Sequence, residues 1–134
     1  MKLKRIFTNI KHIIKWIPVL WTDKDWDSWY IYTILEFKLK NTASHLRDHN
    51  LYVGVERDCE RIETCVRLIE KLKEEEYMTE WVDMSNPLFE ETNCGLKEID
   101  ELERNLMKEC EDRHFKARRI LFDLLERNIE KWWD

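Results

Sequence analysis

A stretch without any helix-breaking residue runs from Val55 to Leu72 and reads VERDCERIETCVRLIEKL. Its apolar residues recur every three or four positions, at Cys59, Ile62, Cys65, Val66, Ile69 and Leu72. Residues at this spacing share one face of an α-helix, while the Glu, Arg and Lys residues between them fall on the other faces. The stretch therefore predicts a central helix with one buried face.

The composition of the whole chain is typical of an all-α protein. Only two glycines and two prolines occur among 134 residues, and 38% of the residues are charged. Few breakers and many charged residues favour long helices, and too few turn residues are present for a many-stranded sheet. With 43% hydrophobic residues the composition is not that of a disordered chain, and the length allows one domain with a modest core.

The periodicity of apolar residues predicts a single domain over residues 1–134, folded as an antiparallel helical bundle of about four helices with a long C-terminal helix. The expected elements are a basic amphipathic helix over 1–17 and core helices over 25–48, 55–78 and 96–132. The connector HNLYVG closes at Gly54, and the segment between the last two helices is expected to be irregular, with a possible short helix begun by Ser85 and Pro87.

The last predicted helix is unusually long for so small a domain. At 1.5 Å per residue it would extend roughly 55 Å. It therefore either bends or packs in part on another subunit, and we expect a homo-oligomer. Trp132 and Trp133 are consecutive, so they point to different sides of this helix, and we expect at least one of them at an interface.

Charge is distributed unevenly along the chain. Residues 1–20 contain five basic residues and no acid, whereas the whole chain has a net charge of −5, which leaves −10 on residues 21–134. A basic first helix lying on an acidic body, its own or that of a neighbour, would explain this division. Ile6, Ile10 and Ile13 are its expected interface residues. An anionic membrane or a nucleic acid is the alternative partner of such a helix.

The N-terminal sequence MKLKR followed by apolar residues has some features of a signal peptide. However, Lys11, His12 and Lys15 interrupt the apolar run, and no small-residue cleavage site follows. No stretch reaches about 18 uncharged apolar residues, the length that spans a bilayer. We therefore expect a protein of the cytoplasm without a membrane partner, whose four cysteines are reduced thiols.

The connector between the first two helices has the sequence WIPVLWTDKDWDSWY, residues 16–30. Pro18 is expected to end or kink the first helix at residue 17. Asp23, Asp25 and Asp27 resemble the start of a calcium loop, but Ser28 and Ile34 occupy the positions that require glycine and glutamate. We therefore interpret Asp25 or Asp27 as the N-cap of the second helix.

Five aromatic residues of this connector allow two interpretations. They are Trp16, Trp21, Trp26, Trp29 and Tyr30. Large aromatic residues are the usual core of a small domain, and this is the favoured interpretation. Alternatively, they clamp a planar base between their rings.

Several short motifs are incomplete metal sites. His45 with His49, and Cys110 with His114, are pairs of metal-ligating residues one helical turn apart, and each is half of a zinc site. Glu111-x-x-His114 is a single ExxH motif, whereas a di-iron bundle needs two, and Thr42 occupies the position of the second glutamate. We predict no metal and no cofactor.

Basic side chains near the second connector and on the last helix are candidate ligands for a phosphate group. The candidate ligand-binding residues are Arg47, His49, Arg57, Trp26, Arg118 and Arg119. The alternative is that they lie on solvated helix faces, paired with the abundant glutamates. Nucleic acid is disfavoured as a partner because the body of the protein is acidic.

Glu60-x-x-Glu63 and Glu80-x-x-Asp83 resemble the carboxylate signature of the all-α NTP pyrophosphohydrolases, which hold magnesium on a nucleotide phosphate. One continuous helix through residues 64–77 would hold the two pairs roughly 25–30 Å apart, whereas that family needs them to face each other. The sequence contains no P-loop, dinucleotide fingerprint or nucleophile–base set. We therefore expect no catalytic residues and no enzymatic activity.

Three segments, WIPVLWTDKDWDSWY, HLRDHNLYVGVERDCERIETC and IEKWWD, resemble a family of small, mostly uncharacterised helical proteins encoded by tailed bacteriophages. The resemblance implies a phage protein made in the bacterial cytoplasm. It also implies an accessory role, in which the protein binds and neutralises a component of host defence, either a host protein or a signalling nucleotide. A structural accessory protein of phage replication or assembly is a further alternative.

Overall fold

In a computed structural model of the chain, residues 2–50, 52–75, 77 and 96–132 are described, with side chains from residue 4 in the first helix and residue 100 in the last. These ranges contain α1 (Lys2–Trp21), α2 (Ser28–His49), α3 (Val55–Lys73) and α4 (Leu96–Asn128), and no strand. The all-α prediction is confirmed for this part of the chain. The predicted irregular segment between α3 and α4 lies outside it, apart from residues 74, 75 and 77.

The core is centred on α3, which packs against α2 on one side and against α4 on the other. Every apolar residue predicted to form its inner face is buried, and Cys59, Ile62, Cys65 and Ile69 are completely so. They meet Leu39, Ala43 and Leu46 from α2, and Ala117, Leu121 and Leu125 from α4. The 3.6-residue period of α3 thus creates the surface on which the other two core helices pack.

Polar contacts between helices show that neighbouring core helices are antiparallel, as predicted. Near the start of α2, Glu36 binds Lys73 at the end of α3, with 2.8 Å between Oε2 and Nζ. Arg61, near the start of α3, reaches Asn128 at the end of α4, with 3.5 Å between Nη1 and Oδ1.

The connector from α2 to α3 needs left-handed backbone at two positions. Asn50 ends α2 with φ 42°, and Gly54 precedes α3 with φ 100°. Glycine and asparagine tolerate these angles better than other residues. The predicted end of the connector at Gly54 is therefore confirmed.

Some helix boundaries differ from the predictions. α1 does not end at residue 17 but continues through Pro18 to Trp21. Pro18 lacks the N–H that would bond to the carbonyl of residue 14, and only three residues of the helix follow it. α3 ends at Lys73 instead of residue 78, because Glu75 has a left-handed backbone, φ 51°, that turns the chain out of the helix. α4 ends at Asn128, and residues 129–132 form turns.

Unexpectedly, α1 lies against the body with its polar side inward. It contacts α2, where the rings of Trp16 and Phe37 meet edge to face with centroids 4.8 Å apart. Its large apolar side chains point to solvent and are between 45% and 85% exposed: Ile6, Phe7, Ile10, Ile13, Ile14, Ile17, Leu20 and Trp21. We call these eight residues the α1 apolar face. The helix therefore lies on the protein's own body, but not by the side that an amphipathic helix normally buries.

The aromatic residues of the first connector are not all core residues. Trp21 and Trp26 are 85% and 83% exposed, which contradicts the core interpretation for these two rings. Trp29 is 40% exposed and lies beside Lys73, whose Nζ is 4.4 Å from the centre of a Trp29 ring. Trp16 and Tyr30 are half-buried.

Among the described helices, none combines the length and the apolar character needed to cross a bilayer.

Candidate functional site

A cavity of about 480 Å³ lies where the polar side of α1 meets α2 and the end of the chain. Its lining side chains are His12, Lys15 and Trp16 from α1, Lys38, Asn41, Thr42, Ser44, His45, Leu46 and Asp48 from α2, and Tyr52 and Trp132. We call this space the α1–α2 cavity. It combines basic and aromatic groups with a single carboxylate, that of Asp48.

Several polar groups of the cavity are already occupied by local hydrogen bonds. Asn41 donates from Nδ2 to the carbonyl of Phe37 at 2.9 Å, and the Thr42 hydroxyl donates to the carbonyl of Lys38 at 2.9 Å. The Tyr52 hydroxyl donates to Asp58 at 3.0 Å. The Lys15 ammonium, by contrast, has neither an ion pair nor a hydrogen bond within the described part of the chain. Its charge therefore remains available to a ligand.

Trp132 forms the floor of the cavity and belongs to the core of this chain. It is completely buried, and its indole N–H has no acceptor within the described ranges. Helical spacing already places Trp132 in line with the buried Leu121, Leu125 and Asn128, and the turns after Asn128 keep its ring against the core. The prediction that Trp132 is an interface residue is therefore wrong. Trp133, the other expected interface residue, lies outside the described residues.

The predicted ligand-binding group around Arg47 is engaged in ion pairs between helices. Arg47 binds Glu56 and Glu63 of α3 with its two terminal nitrogens. The hydrogen bond to Glu63, followed by that to Glu56, raises the pKa of Arg47, and the same bond lowers the pKa of Glu63. This arginine therefore joins α2 to α3, as the alternative of paired surface charges predicts, and it does not line the α1–α2 cavity.

His49 and Arg57 are likewise outside the cavity lining. His49 hydrogen-bonds through Nδ1 to the carbonyl of His45 at 2.9 Å, and its ring lies 4.2 Å from that of His45. The Arg57 guanidinium lies next to Gly54, at the start of α3. Of this predicted histidine pair, only His45 reaches the cavity.

The remaining predicted ligand residues are distributed over other surfaces. The Arg118 guanidinium lies over the Phe115 ring, 4.9 Å from its centroid. Arg119 lines a separate groove on the outer side of α4, together with Phe115 and Ile120. Trp26 is exposed in the first connector and lines none of these cavities. The six predicted ligand residues therefore do not form one site.

No metal centre is found among the described residues, because no three His, Cys, Asp or Glu side chains cluster there. Cys110 is almost completely buried, and His114 faces the ring of Tyr77, with centroids 6.4 Å apart. Glu60 and Glu63 lie on α3, whereas Glu80 and Asp83 fall outside the described ranges.

The buried cysteines of α3 do not have the properties of nucleophiles. Burial raises the pKa of Cys65 to about 11 and also raises that of Cys59. A thiol with a raised pKa is protonated at neutral pH, whereas the thiolate is the reactive form. Both cysteines therefore serve as small core residues.

Sequence reasoning missed most of the cavity residues, including His12, Lys15, Lys38 and Asn41, and it named Trp16 only in the alternative in which aromatic rings clamp a planar base. A signal was present: His12 and Trp16 are one helical turn apart on the side of α1 opposite Ile10 and Ile14. A tryptophan on the polar side of an amphipathic helix indicates that this side also makes contacts.

Comparison with protein-family models, curated proteins and solved structures gives no match to this chain.

Proposed function

We propose that this chain is a non-enzymatic binding protein, an accessory protein of a bacteriophage, that docks on a host defence protein in the bacterial cytoplasm and neutralises it. The α1 apolar face is the observation that carries the proposal. The phage origin rests on the sequence resemblance, and the docking role rests on the geometry of α1.

The α1 apolar face is large enough to bind a protein groove. A helix of 20 residues is about 30 Å long, and the outward residues extend from Ile6 to Trp21. Monomeric soluble proteins rarely expose contiguous apolar patches of such size without a binding role. An amphipathic helix that lays its apolar side into a groove is a common mode of protein recognition, with anchors three or four residues apart. Ile6, Ile10, Ile13 and Ile17 have this spacing.

Charge defines the partner further. Lys4 and Lys11 are exposed and border the α1 apolar face on one side, and residues 1–20 contain no acid. A complementary groove would therefore be apolar at its floor and acidic at its rim. The proposed target is a host protein with such a groove, which α1 would block.

A second copy of the chain is the competing occupant, as the expected homo-oligomer implies. Pairing of α1 with α1 would place the basic residues of two copies side by side, which is unfavourable. Packing of α1 on the acidic body of a second copy avoids this repulsion, because residues 21–134 carry −10. Packing of α1 on the acidic body of a second copy is therefore the form of self-association that must be tested against host-protein binding.

Site-specific photo-crosslinking in bacteria that express the protein tests the proposal. A photo-reactive residue replaces Ile10 on α1 or, as the control, Phe122, which is 52% exposed on α4. We expect the photo-reactive residue at position 10, but not the one at position 122, to crosslink to one host protein. Ile13→Asp should abolish that crosslink. The purified host protein must bind the wild-type chain and must be required for defence against phage.

The matched functional experiment measures how efficiently a phage that the host defence restricts forms plaques on these bacteria. Expression of the wild-type chain should restore plaques, Ile13→Asp should not, and Phe122→Asp should behave as wild type. Crosslinks only between copies of the chain would replace the proposal with self-association. Magnesium-dependent release of pyrophosphate from NTPs would overturn the non-enzymatic proposal.

A further inference from the structure

We propose that the α1–α2 cavity is a binding site for a phosphate-bearing molecule with one aromatic ring system, of the size of a mononucleotide. This site is distinct from the α1 apolar face, and the inference does not depend on the identity of a protein partner. It uses a different set of residues from the basic group that the sequence indicated.

Charge is the first argument for an anionic ligand. Lys15 and Lys38 contribute ammonium groups to the lining, and His12 and His45 contribute imidazoles, against the single carboxylate of Asp48. The Lys15 ammonium has no carboxylate partner in the described ranges, although the chain as a whole is acidic. Lysine in such a setting is a common phosphate ligand, acting as a point charge.

The aromatic wall is the second argument. Trp16 is half-buried, and its edge-to-face contact with Phe37 fixes the orientation of its ring. The same ring lines the cavity, next to Lys15 in sequence and facing α2. Stacking on a fixed indole recognises any planar base, because every base has a π-face.

The volume sets the size of the ligand. About 480 Å³ is in the lower half of the range for small-molecule sites, roughly 300–1,000 Å³. One nucleotide suits this space better than two linked nucleotides. The buried floor formed by Trp132 and Leu46 closes the cavity on the core side.

No chemical step accompanies binding in this proposal. The described lining contains no cysteine, and Asp48, its only carboxylate, accepts a hydrogen bond from Ser44 at 3.4 Å. A ligand would contact α1 and α2 together and would therefore hold α1 in its position on the body.

Isothermal titration calorimetry with the full-length chain tests the site. The ligands are AMP, GMP, their 3′,5′-cyclic forms, adenosine without phosphate, and inorganic phosphate. We expect at least one nucleotide to bind at one site per chain, at least tenfold more tightly than adenosine and than phosphate. Equal affinity for adenosine would overturn phosphate recognition, and equal affinity for inorganic phosphate would overturn ring recognition.

Two lysines of α1 provide a matched pair of variants. Lys15→Ala removes a lining charge and should weaken nucleotide binding at least tenfold, whereas Lys11→Ala removes an exposed charge outside the cavity and should change the dissociation constant less than twofold. Trp16→Leu should also weaken binding at least tenfold, with circular dichroism confirming that the helices remain.

Equal losses for the two lysine variants would indicate diffuse surface charge and would refute the cavity. Failure of every nucleotide to bind at millimolar concentration would also refute it. Neither outcome affects the crosslinking test of the α1 apolar face, because Ile10 and Ile13 are not cavity residues.

Discussion

Asp27 begins α2 by a contact that the sequence indicated. Its backbone is extended, φ −109° and ψ 116°, and its carboxylate accepts a hydrogen bond from the Trp29 amide at 2.9 Å. This bond satisfies one of the N–H groups that the first turn of a helix leaves without a partner. The carboxylate also lies at the positive end of the helix dipole. Asp27 therefore has a structural role as the N-cap of α2.

We expect Asp27→Ala to lower the free energy of unfolding by about 1 kcal/mol, the usual cost of losing an N-cap. Asp25→Ala is the control, because Asp25 is exposed two residues earlier and makes no capping contact in the described structure. Urea denaturation followed by circular dichroism measures both variants. Equal losses would mean that general charge near the helix, and not the cap, is responsible.

The exposure of the tryptophan side chains was not predicted correctly from residue type. The sequence predicted that Trp21 and Trp26 belong to the core and that Trp132 lies at an interface, yet the first two are exposed and Trp132 is completely buried. Trp21 is in line with Ile14 and Ile17 on the α1 apolar face, and Trp132 continues the spacing of the buried residues of α4, so both follow the helical period. Trp26 lies in the loop before α2, where helical periodicity gives no information. The turns that bury Trp132 follow the end of α4 and carry no recognisable turn motif.

At the scale of elements, the sequence predicted which residues of α3 are buried better than it predicted how α1 is oriented on the body. The inner face of α3 was predicted residue by residue, because both of its neighbours need the same apolar stripe. For α1 the pattern predicted an amphipathic helix correctly, but the usual rule that the apolar side packs on the body does not hold, since periodicity does not distinguish a side that packs on the same chain from one left open to a partner. The cavity was missed for the same reason, because it depends on the inward orientation of Lys15 and Trp16.

A network of charged groups joins the start of α2 to the end of α3. Glu36 accepts hydrogen bonds from Lys40 at 2.6 Å and from Lys73 at 2.8 Å. Burial by itself raises the pKa of Glu36, but the two hydrogen bonds and the charges of the lysines outweigh it and leave the pKa below its ordinary value of 4.5. The folded state therefore favours the ionised carboxylate.

The lowered pKa of Glu36 predicts a dependence of stability on pH. Its contribution is fully present above the unfolded-state pKa near 4.5 and is lost as the pH falls through the lower pKa of the folded state. We expect Glu36→Gln to reduce the free energy of unfolding by roughly 1–2 kcal/mol at pH 7 and by clearly less at pH 3. Glu70→Gln, which removes a more exposed partner of Lys40, should cost less at pH 7. A loss for Glu36→Gln that is independent of pH would contradict this account.

At the scale of the whole molecule, the folded core and the α1 apolar face are separate. None of the described side chains of α1 belongs to the buried core. We therefore expect Leu121→Ala, which removes a completely buried side chain, to destabilise the protein by about 2–5 kcal/mol. Ile10→Ala, on the outward side of α1, should change stability by less than about 0.5 kcal/mol.

Urea denaturation at micromolar protein concentration measures this difference, and its dependence on protein concentration is the control. A large loss for Ile10→Ala that appears only at high concentration would show that Ile10 is buried against a second copy of the chain. A large loss at all concentrations would contradict the separation of α1 from the core.

The outward orientation of α1 also affects how this protein can evolve. Residues that support the core are constrained, because most changes there cost stability, whereas exposed residues can be replaced with little effect on folding. The proposed docking residues, such as Ile10 and Ile13, belong to the second class. New combinations of side chains can therefore be selected along α1 without an accompanying change in α2, α3 or α4. A protein built in this way can follow a changing target with few mutations.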